Sequence, residues 1–185
     1  GARIALNDAI EVRGVAAICI TGTPFIFAVG ADLTGVPRLT DRGQALAIGK
    51  LGHEVLGMLG DSEVPTFAFV NGAAMGGGVE IALACDYRTV SYGVTAFALP
   101  ETFLGLVPGW GGCYLLPNLV GAADALKVII ENPLSQNRML KAKEVAALAS
   151  LLEQALPSAA GWAVALAAAP AMLAVDAGYK WVRRR

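Results

Sequence analysis

Short apolar runs alternate along the chain with segments whose apolar residues recur at helical spacing. The runs at residues 15–21 and 65–70 are bounded by glycine or turn residues and are typical of buried strands. A third short strand is predicted at residues 87–90. Apolar residues at positions 46, 51, 55 and 59 predict a helix over 44–59. Further helical segments are predicted at 77–84, 122–130 and 140–156.

This order predicts the fold class. Strands that are continuously apolar are buried on both faces, and their alternation with helices indicates an α/β architecture with parallel sheet. Residues 25–33 are predicted to form a loop, and residues 108–112 a glycine-rich turn. No internal repeat is visible.

Composition narrows the possible partners. The 185 residues suffice for one domain with a substantial core, and 56% of them are apolar against 16% charged. Such a high apolar fraction predicts apolar surface that is buried between subunits. The net charge is −1 and the only basic run is at 183–185, so we expect no nucleic-acid partner.

The cysteines and the histidine exclude other site types. Cys19, Cys85 and Cys113 are widely spaced and form neither a metal-type cluster nor a disulfide framework. Their scarcity fits a reducing compartment, and no signal-peptide pattern is found, so we expect a cytoplasmic protein. His53 is the only histidine, which excludes a histidine-rich metal site, and its apolar helical neighbours favour a structural role. No metal site is predicted.

One segment near the end of the sequence raises the question of a membrane span. Residues 154–175 carry no charge, and roughly 20 apolar residues can cross a bilayer. However, the segment is mostly alanine and contains Pro157, Gly161 and Pro170, which weaken insertion and interrupt a helix. We therefore expect a packing or interface helix and no membrane span.

The glycine triplet 76–78, followed by Glu80, is the strongest chemical signal. A strand that leads into a glycine-lined helix start leaves backbone N–H groups accessible to a ligand. Glu80 follows one turn later among apolar residues, where burial would raise its pKa into a useful range. The alternatives are that the glycines only permit close packing and that Glu80 is solvated. The spacing fits neither a dinucleotide-binding fingerprint nor a phosphate-binding loop.

Glu101 is the second candidate acid/base residue. It lies among apolar residues and shortly before the glycines at 109–112, which again offer bare amides. The alternative for Glu101 is a salt bridge in a loop. Asp32 follows Gly30 and Ala31 in a turn of small residues. The alternative to a functional role for Asp32 is that its side chain caps the following helix. Trp110 and Cys113 are expected to pack.

With these motifs in place, the chain resembles the crotonase superfamily of enoyl-CoA hydratases and isomerases. The order and spacing of the motifs both fit from about residue 5 to residue 149. The sequences of the segments at 108–112 and 131–137 are most similar to the hydratase part of fatty-acid-oxidation multienzyme α subunits. The matching segments are FAVGADL at 27–33, VNGAAMGGGVE at 70–80, ACDYR at 84–88, FALPE at 97–101, LGLVPGWGG at 104–112, LLPNLVG at 115–121 and ENPLSQN at 131–137.

The resemblance implies roles for individual residues. Ala31 and Gly77 match the residues whose N–H groups form the oxyanion hole for the thioester carbonyl. Glu80 and Glu101 match the two acid/base carboxylates, and Gly109 matches the glycine next to the catalytic water. The residues that match part of the coenzyme A site are Ala28, Gly30, Asp32 and Leu33.

The resemblance also implies an architecture. The family fold is a spiral of ββα units, assembled as homotrimers or as hexamers made of two trimers. The resemblance places a spiral core at residues 1–138 and a C-terminal helical region at residues 139–185. The substrate is an acyl-CoA, and no separate cofactor is expected.

The implied reaction is hydration of 2-trans-enoyl-CoA in fatty-acid β-oxidation, a hydro-lyase activity. Family isomerases often keep only the carboxylate that matches Glu101, so the presence of Glu80 as well favours the hydratase. Two alternatives stay open: an isomerase or another crotonase-type enzyme, and a non-catalytic acyl-CoA-binding or scaffold subunit. A serine-protease site is excluded because no serine lies in the glycine motif and His53 lacks a placed partner.

Overall fold

The strands of this protein come in consecutive pairs separated by helices. The computed structural model describes residues 15–30 and 41–148. In these ranges the strands are β1 (Ile18–Thr21), β2 (Ile26–Val29), β3 (Thr66–Val70), β4 (Ala73–Met75), β5 (Tyr87–Val90) and β6 (Phe97–Ala98).

The members of each pair enter two different sheets. β1, β3 and β5 form one three-stranded sheet, and β2, β4 and β6 form the other. All four pairings between neighbouring strands are parallel. The chain therefore adds one strand to each sheet in every turn, which is a spiral. The expectation of an α/β fold with parallel sheet is confirmed.

The helices fill the connections and the second half of the described chain. They are α1 (Arg42–Gly60), α2 (Gly77–Ala84), a 3₁₀ helix (Pro100–Leu104), α3 (Gly112–Val120), α4 (Ala122–Leu126), a π-helical segment (Lys127–Glu131), α5 (Asn132–Leu134) and α6 (Ala142–Ala147). Asp41 caps α1, because its carboxylate accepts a hydrogen bond from the N–H of Gln44 at 2.8 Å.

The long and strongly patterned elements agree with the sequence predictions. The strand at 87–90 and the helix at 77–84 have the predicted bounds, and α1 extends the predicted helix by three residues in all. β1 and β3 lie within the predicted apolar runs. The helix predicted at 122–130 is α4 followed by the π-helical segment, with helical backbone at the junction. α6 lies within the predicted 140–156 helix, and residues 149–156 lie outside the described residues.

The prediction of a loop over 25–33 is wrong for residues 26–29, which form β2. β4, β6 and α3 were also not predicted. β4 and β6 have three and two residues, too few for an alternating pattern to show. β2 has four residues, and its backbone pairing with β4 defines it. α3 begins in the glycine turn and contains Pro117, which are both features that normally argue against a helix.

The small sheet positions the functional residues, because the carboxyl ends of its parallel strands lie at one edge. Hydrogen bonds continue past the strand ends: the N–H of Gly30 donates to the Met75 carbonyl at 2.7 Å, and that of Gly76 to the Ala98 carbonyl at 2.9 Å. Gly30, the start of α2 and the segment leading to Glu101 therefore meet at this edge.

The far end of α2 is fixed by Arg88. Its buried guanidinium donates from Nε to the Ala82 carbonyl at 3.0 Å and from Nη2 to the carbonyls of Leu83 and Cys85. These are carbonyls that a helix end leaves without intrahelical partners. Because α2 has only eight residues, this anchor also limits movement of its start at the sheet edge.

The described residues belong to one compact unit, Gly1–Gln154. The second unit, Ala155–Arg185, lies outside the described residues, and with it the alanine-rich segment at 154–175. The division at residue 138 stays a prediction. Within residues 15–30 and 41–148, no helix is long and apolar enough to cross a membrane.

Asn71 ties the turn between β1 and β2 to the end of β3. Its side-chain oxygen accepts from the N–H of Gly22 at 3.0 Å, and Nδ2 donates to the carbonyls of Gly22 and Thr23 at 3.3 and 2.7 Å. Because removal of these bonds leaves the N–H and the carbonyl of Gly22 without this partner and takes away one of the two donors to the Thr23 carbonyl, we expect Asn71→Ala to lower the free energy of unfolding by about 2 kcal/mol, measured by urea denaturation. Asn118→Ala, at an exposed position of α3, should cause no loss; equal losses in the two variants would contradict this role.

Candidate active site

The start of α2 presents unengaged backbone donors. Gly76 has a φ of +55°, which glycine adopts without strain, and it turns the chain from β4 into the helix. Among the described residues, no acceptor takes the N–H of Gly77 or Gly78. A Cβ at Gly78 would overlap the Ala28 carbonyl oxygen. The glycines therefore serve close packing. Gly77 and Gly78 are buried and their N–H groups have no acceptor among the described residues, so their role as donors to a ligand stays a prediction.

Glu80 is buried and held by two amides. Its side chain is 2% exposed, which excludes the solvated alternative. Oε1 accepts hydrogen bonds from the N–H groups of Trp110 at 2.7 Å and Gly112 at 2.9 Å. Hydrogen bonds to a carboxylate are stronger than neutral ones, and here they offset part of the cost of burying the charge.

The glycine turn at 108–112 is shaped around this carboxylate. A Cβ at Gly112 would lie 3.1 Å from Glu80 Oε1 and 2.6 Å from the Cβ of Pro108. Gly109 is exposed on the same turn, directly before Trp110, and a Cβ there would meet only the Val107 carbonyl at 3.5 Å. Packing therefore requires glycine at 112, whereas the described residues leave room for a Cβ at 109.

Glu101 lies in the 3₁₀ helix and approaches the start of α2. A Cβ placed on Gly76 would lie 2.7 Å from Oε1 of Glu101. The carbonyl of Gly76 also accepts a hydrogen bond from the N–H of Glu80 at 3.1 Å. Oε2 of Glu101 is buried without a hydrogen-bond partner. No ion pair to Glu101 is found among the described residues, so the salt-bridge alternative is not supported. Thr102 fixes this helix by donating to the Ile129 carbonyl at 2.7 Å.

The two carboxyls have different electrostatic surroundings. Burial raises the pKa of Glu80, while the N–H groups of Gly112 and Trp110 and the charge of His53 oppose that rise. Burial also raises the pKa of Glu101; its own backbone N–H opposes the rise, and the negative charge of Glu80 adds to it. Donors surround Glu80, whereas Glu101 faces a like charge and has one oxygen unpaired.

Of the remaining predicted site residues, the structure describes two, Ala28 and Gly30, besides Gly109. Ala28 in β2 packs against Gly78, and the Cα of Gly30 lies 3.7 Å from a Cβ position on Gly76, beside the Glu101 carboxylate. Ala31, Asp32 and Leu33 lie outside the described residues, so their proposed oxyanion-hole and coenzyme A contacts stay predictions. The same holds for capping by Asp32.

Trp110 has a larger part in the site than packing. Its N–H holds Glu80, and its indole lies against Gly77 and against Gly52 of α1. No periodicity connects residues 52, 77 and 110, so the sequence offered no signal for this contact.

Cys113 is exposed. Partial burial is the largest cause of the raised pKa of its thiol, and the negative charges of Glu80 and Glu101 raise that pKa further. His53 is exposed on α1.

The described residues hold no group of three or more His, Cys, Asp or Glu side chains that could bind a metal ion. The groups brought together are a buried carboxyl (Glu80), a half-buried carboxyl (Glu101) and amide donors without an acceptor at a helix start. Such a site can bind a developing oxyanion and transfer protons without a metal ligand set.

Comparison with known proteins agrees with this geometry. The family described as enoyl-CoA hydratase/isomerase matches residues 2–179. The chain belongs to this family. Its relatives include the fatty acid oxidation complex subunit alpha of Vibrio parahaemolyticus, 38% identical over 141 residues, and that of Shewanella loihica, 38% identical over 134 residues. The matches cover 76% and 72% of this chain but only 20% and 18% of those subunits.

Solved structures confirm the crotonase fold. Enoyl-CoA hydratase from Bacillus anthracis superposes with a TM-score of 0.70 and 29% identity, covering 82% of this chain and 56% of that one. DspI from Pseudomonas aeruginosa superposes with a TM-score of 0.74 and 32% identity, covering 92% of this chain and 67% of that one. The spiral of ββα units is therefore the fold of this family member.

The raised pKa values predict how stability depends on pH. A carboxyl with a higher pKa in the folded state binds more protons folded than unfolded, so stability falls as pH rises through that pKa. We expect Glu101→Gln, which cannot ionise, to have a higher melting temperature than the unmodified protein at neutral pH. The gap should narrow towards about pH 4, where the carboxyl is largely protonated.

Thermal unfolding followed by circular dichroism at several pH values measures this gap. Glu63→Gln, at an exposed position in the loop after α1, is the matched control and should show no such pH-dependent gain. A Glu101→Gln gap that is constant with pH, or larger in acid, would show that ionisation of Glu101 does not oppose folding.

Proposed function

We propose that this chain is an enoyl-CoA hydratase that adds water across the 2,3 double bond of 2-trans-enoyl-CoA thioesters. The observation that carries the proposal is that the buried carboxyl of Glu80 and the half-buried carboxyl of Glu101 both lie near the start of α2, where the charge of Glu80 raises the pKa of Glu101. Family membership supports it at the level of enoyl-CoA hydratases and isomerases.

The free amide of Gly77 is proposed as one half of the oxyanion hole. Addition of water at C3 pushes negative charge onto the thioester oxygen, and a fixed N–H group there lowers the barrier by about 3 kcal/mol. Gly30 lies beside Gly76, and the next residue along the chain is Ala31. Ala31 is therefore proposed to supply the second amide, as the family resemblance implies.

The surroundings of the two carboxyls support a division of labour. Glu80 receives two N–H donors at one oxygen, which favours its ionised form, and it is proposed to hold and deprotonate the water. Glu101 has a buried oxygen without a partner and a like charge nearby, which favour its protonated form. It is proposed to deliver the proton to C2. Gly109, beside Glu80's turn, is proposed to leave room for the water.

The biological setting is proposed from the relatives and the composition. The matched region of fatty acid oxidation complex subunit alpha supports a place in fatty-acid β-oxidation, and coenzyme A would be bound as part of the substrate near Ala28, Gly30, Asp32 and Leu33. Few cysteines support a cytoplasmic location. Assembly as a homotrimer or hexamer is supported by exposed apolar side chains such as Leu126, Ile130 and Leu134.

Glu80→Gln and Glu101→Gln should each lower kcat by a factor of about 10² to 10⁴, because each removes one proton-transfer group. Gln preserves the shape and volume of the side chain, so both variants should fold. The measurement is the loss of enoyl-thioester absorbance with a 2-trans-enoyl-CoA, combined with circular dichroism. Glu63→Gln is the control and should retain full activity.

Substrate tests separate the alternatives. Near-normal hydration by both glutamine variants would overturn the proposal. Conversion of 3-enoyl-CoA to 2-enoyl-CoA without hydration would assign an isomerase. Binding of coenzyme A without turnover of either substrate would assign an acyl-CoA-binding subunit.

Gly112→Ala tests whether the turn positions Glu80. The added Cβ would crowd Glu80 Oε1 and Pro108, so the carboxylate must move. Since displacement by about 1 Å can cost 10²-fold in rate, we expect kcat to fall at least tenfold with a smaller change in KM. Gly93→Ala, where a Cβ meets only Ser91 Oγ at 3.5 Å, is the control. Equal kcat values in the two alanine variants would show that this turn does not set the carboxylate.

A further inference from the structure

Trp110 contacts two residues of the proposed site, Gly77 and Glu80, and one residue outside it, Gly52. A Cβ on Gly77 would lie 2.7 Å from Cζ3 and 2.9 Å from Cε3 of the indole. A Cβ on Gly52 would overlap Cδ1 and Nε1 of the same ring. The ring therefore lies between α1 and the first residue of α2, while the Trp110 N–H donates to Glu80 Oε1 at 2.7 Å.

Gly52 shows that space for the indole is a constraint on the sequence. It is buried in the interior of α1, where glycine costs about 1 kcal/mol relative to alanine. Its backbone is not in the left-handed region, so its own conformation does not require glycine. Gly49, one turn earlier, has nothing within 4 Å of a Cβ position. The indole is thus the physical reason for glycine at 52 that the structure provides.

We propose that the Trp110 indole is a positioning residue, which fixes the Gly77 amide and the turn that holds Glu80 in one arrangement by packing between Gly52 and Gly77. The inference rests on the proposed function for its kinetic consequences. The side chain and the main chain of one residue then act on an oxyanion donor and on a catalytic carboxylate.

Two physical effects follow from this packing. Movement of the ring would displace the Trp110 N–H and with it the Glu80 carboxylate, because the side chain and the donor belong to the same residue. The ring also covers Gly77 on one side, and exclusion of water strengthens the interaction of a fixed N–H with a developing oxyanion. Neither effect needs contact between the indole and the substrate.

Trp110→Ala should lower kcat by a factor of about 10 to 100, with KM changed by less than about threefold, because positioning rather than binding is lost. Water that enters the vacated space should also lower the pKa of Glu80. The limb of the pH–rate profile that Glu80→Gln abolishes should therefore move to lower pH. Glu101, His53 and Cys113 are the other titratable groups whose charges couple to these carboxyls, and the Glu80→Gln comparison separates their limbs. Trp110→Phe, which keeps an aromatic ring, should restore most of kcat.

Gly52→Ala displaces the indole from the opposite side without changing the site itself. It should reproduce the loss of kcat seen in Trp110→Ala. Gly49→Ala makes the same change one turn away on the same helix and should leave kcat unchanged. If both glycine variants have the same kcat, or if folded Trp110→Ala retains kcat and the pH limb, the inference is overturned and Trp110 is only a packing residue.

Fluorescence gives a readout that needs no turnover. The difference in emission between the unmodified protein and Trp110→Phe isolates Trp110 from the other two tryptophans. This difference should change with pH as Glu80 ionises, and the change should be absent in Glu80→Gln; a difference that does not vary with pH would overturn the inference. Failure of the hydration assay in the unmodified protein, with the fluorescence titration intact, would overturn the proposed function alone. If Trp110→Ala does not fold, Trp110→Phe and Gly52→Ala decide the matter.

Discussion

The hydrogen-bond ladder of the small parallel sheet is the constraint on which the site depends. Parallel strands end at a common edge, and two bonds extend the ladder beyond the strands, from Gly30 to Met75 and from Gly76 to Ala98. Segments that are far apart in sequence thereby meet around Gly76. Because β4 and β6 have only three and two residues, small shifts in register would move α2 and Glu101 relative to one another.

The second constraint is the burial of Glu80, which the chain satisfies from a distant segment. An isolated carboxylate in this position would be strongly disfavoured, and two amides from the turn at 108–112 compensate for its lost hydration. The turn can approach only because Gly112 has no side chain. Conversely, the carboxylate gives the turn a fixed partner. Glu80 and the turn therefore stabilise one another, and the geometry of the site is part of the fold.

The sequence predicted the parts of this arrangement that lie close together along the chain. Glu80 lies two residues after the glycine triplet, so their joint placement at a helix start follows from local rules, and α1 follows from the helical spacing of its apolar residues. β4 and β6 are too short for a pattern, and all three strands of the small sheet, β2 included, depend on pairing with one another. The contact of Trp110 with Gly52 links residues 58 positions apart and is visible only as packing. The family resemblance identified Glu101 as a partner of Glu80, which its local sequence alone did not.

Two residues of the same type receive different properties because the fold treats their oxygens differently. Two donors are directed at Oε1 of Glu80, and they oppose the rise in its pKa that burial causes. The charge of Glu80 disfavours ionisation of Glu101, whose Oε2 is buried without a donor. Coupled groups of this kind lose their protons in two steps that belong to the pair. For the proposed hydration, one proton on the two carboxyls would let one group deprotonate water while the other protonates carbon. The asymmetry is created by the two amides of the glycine turn, and so by the packing that holds Trp110 in place.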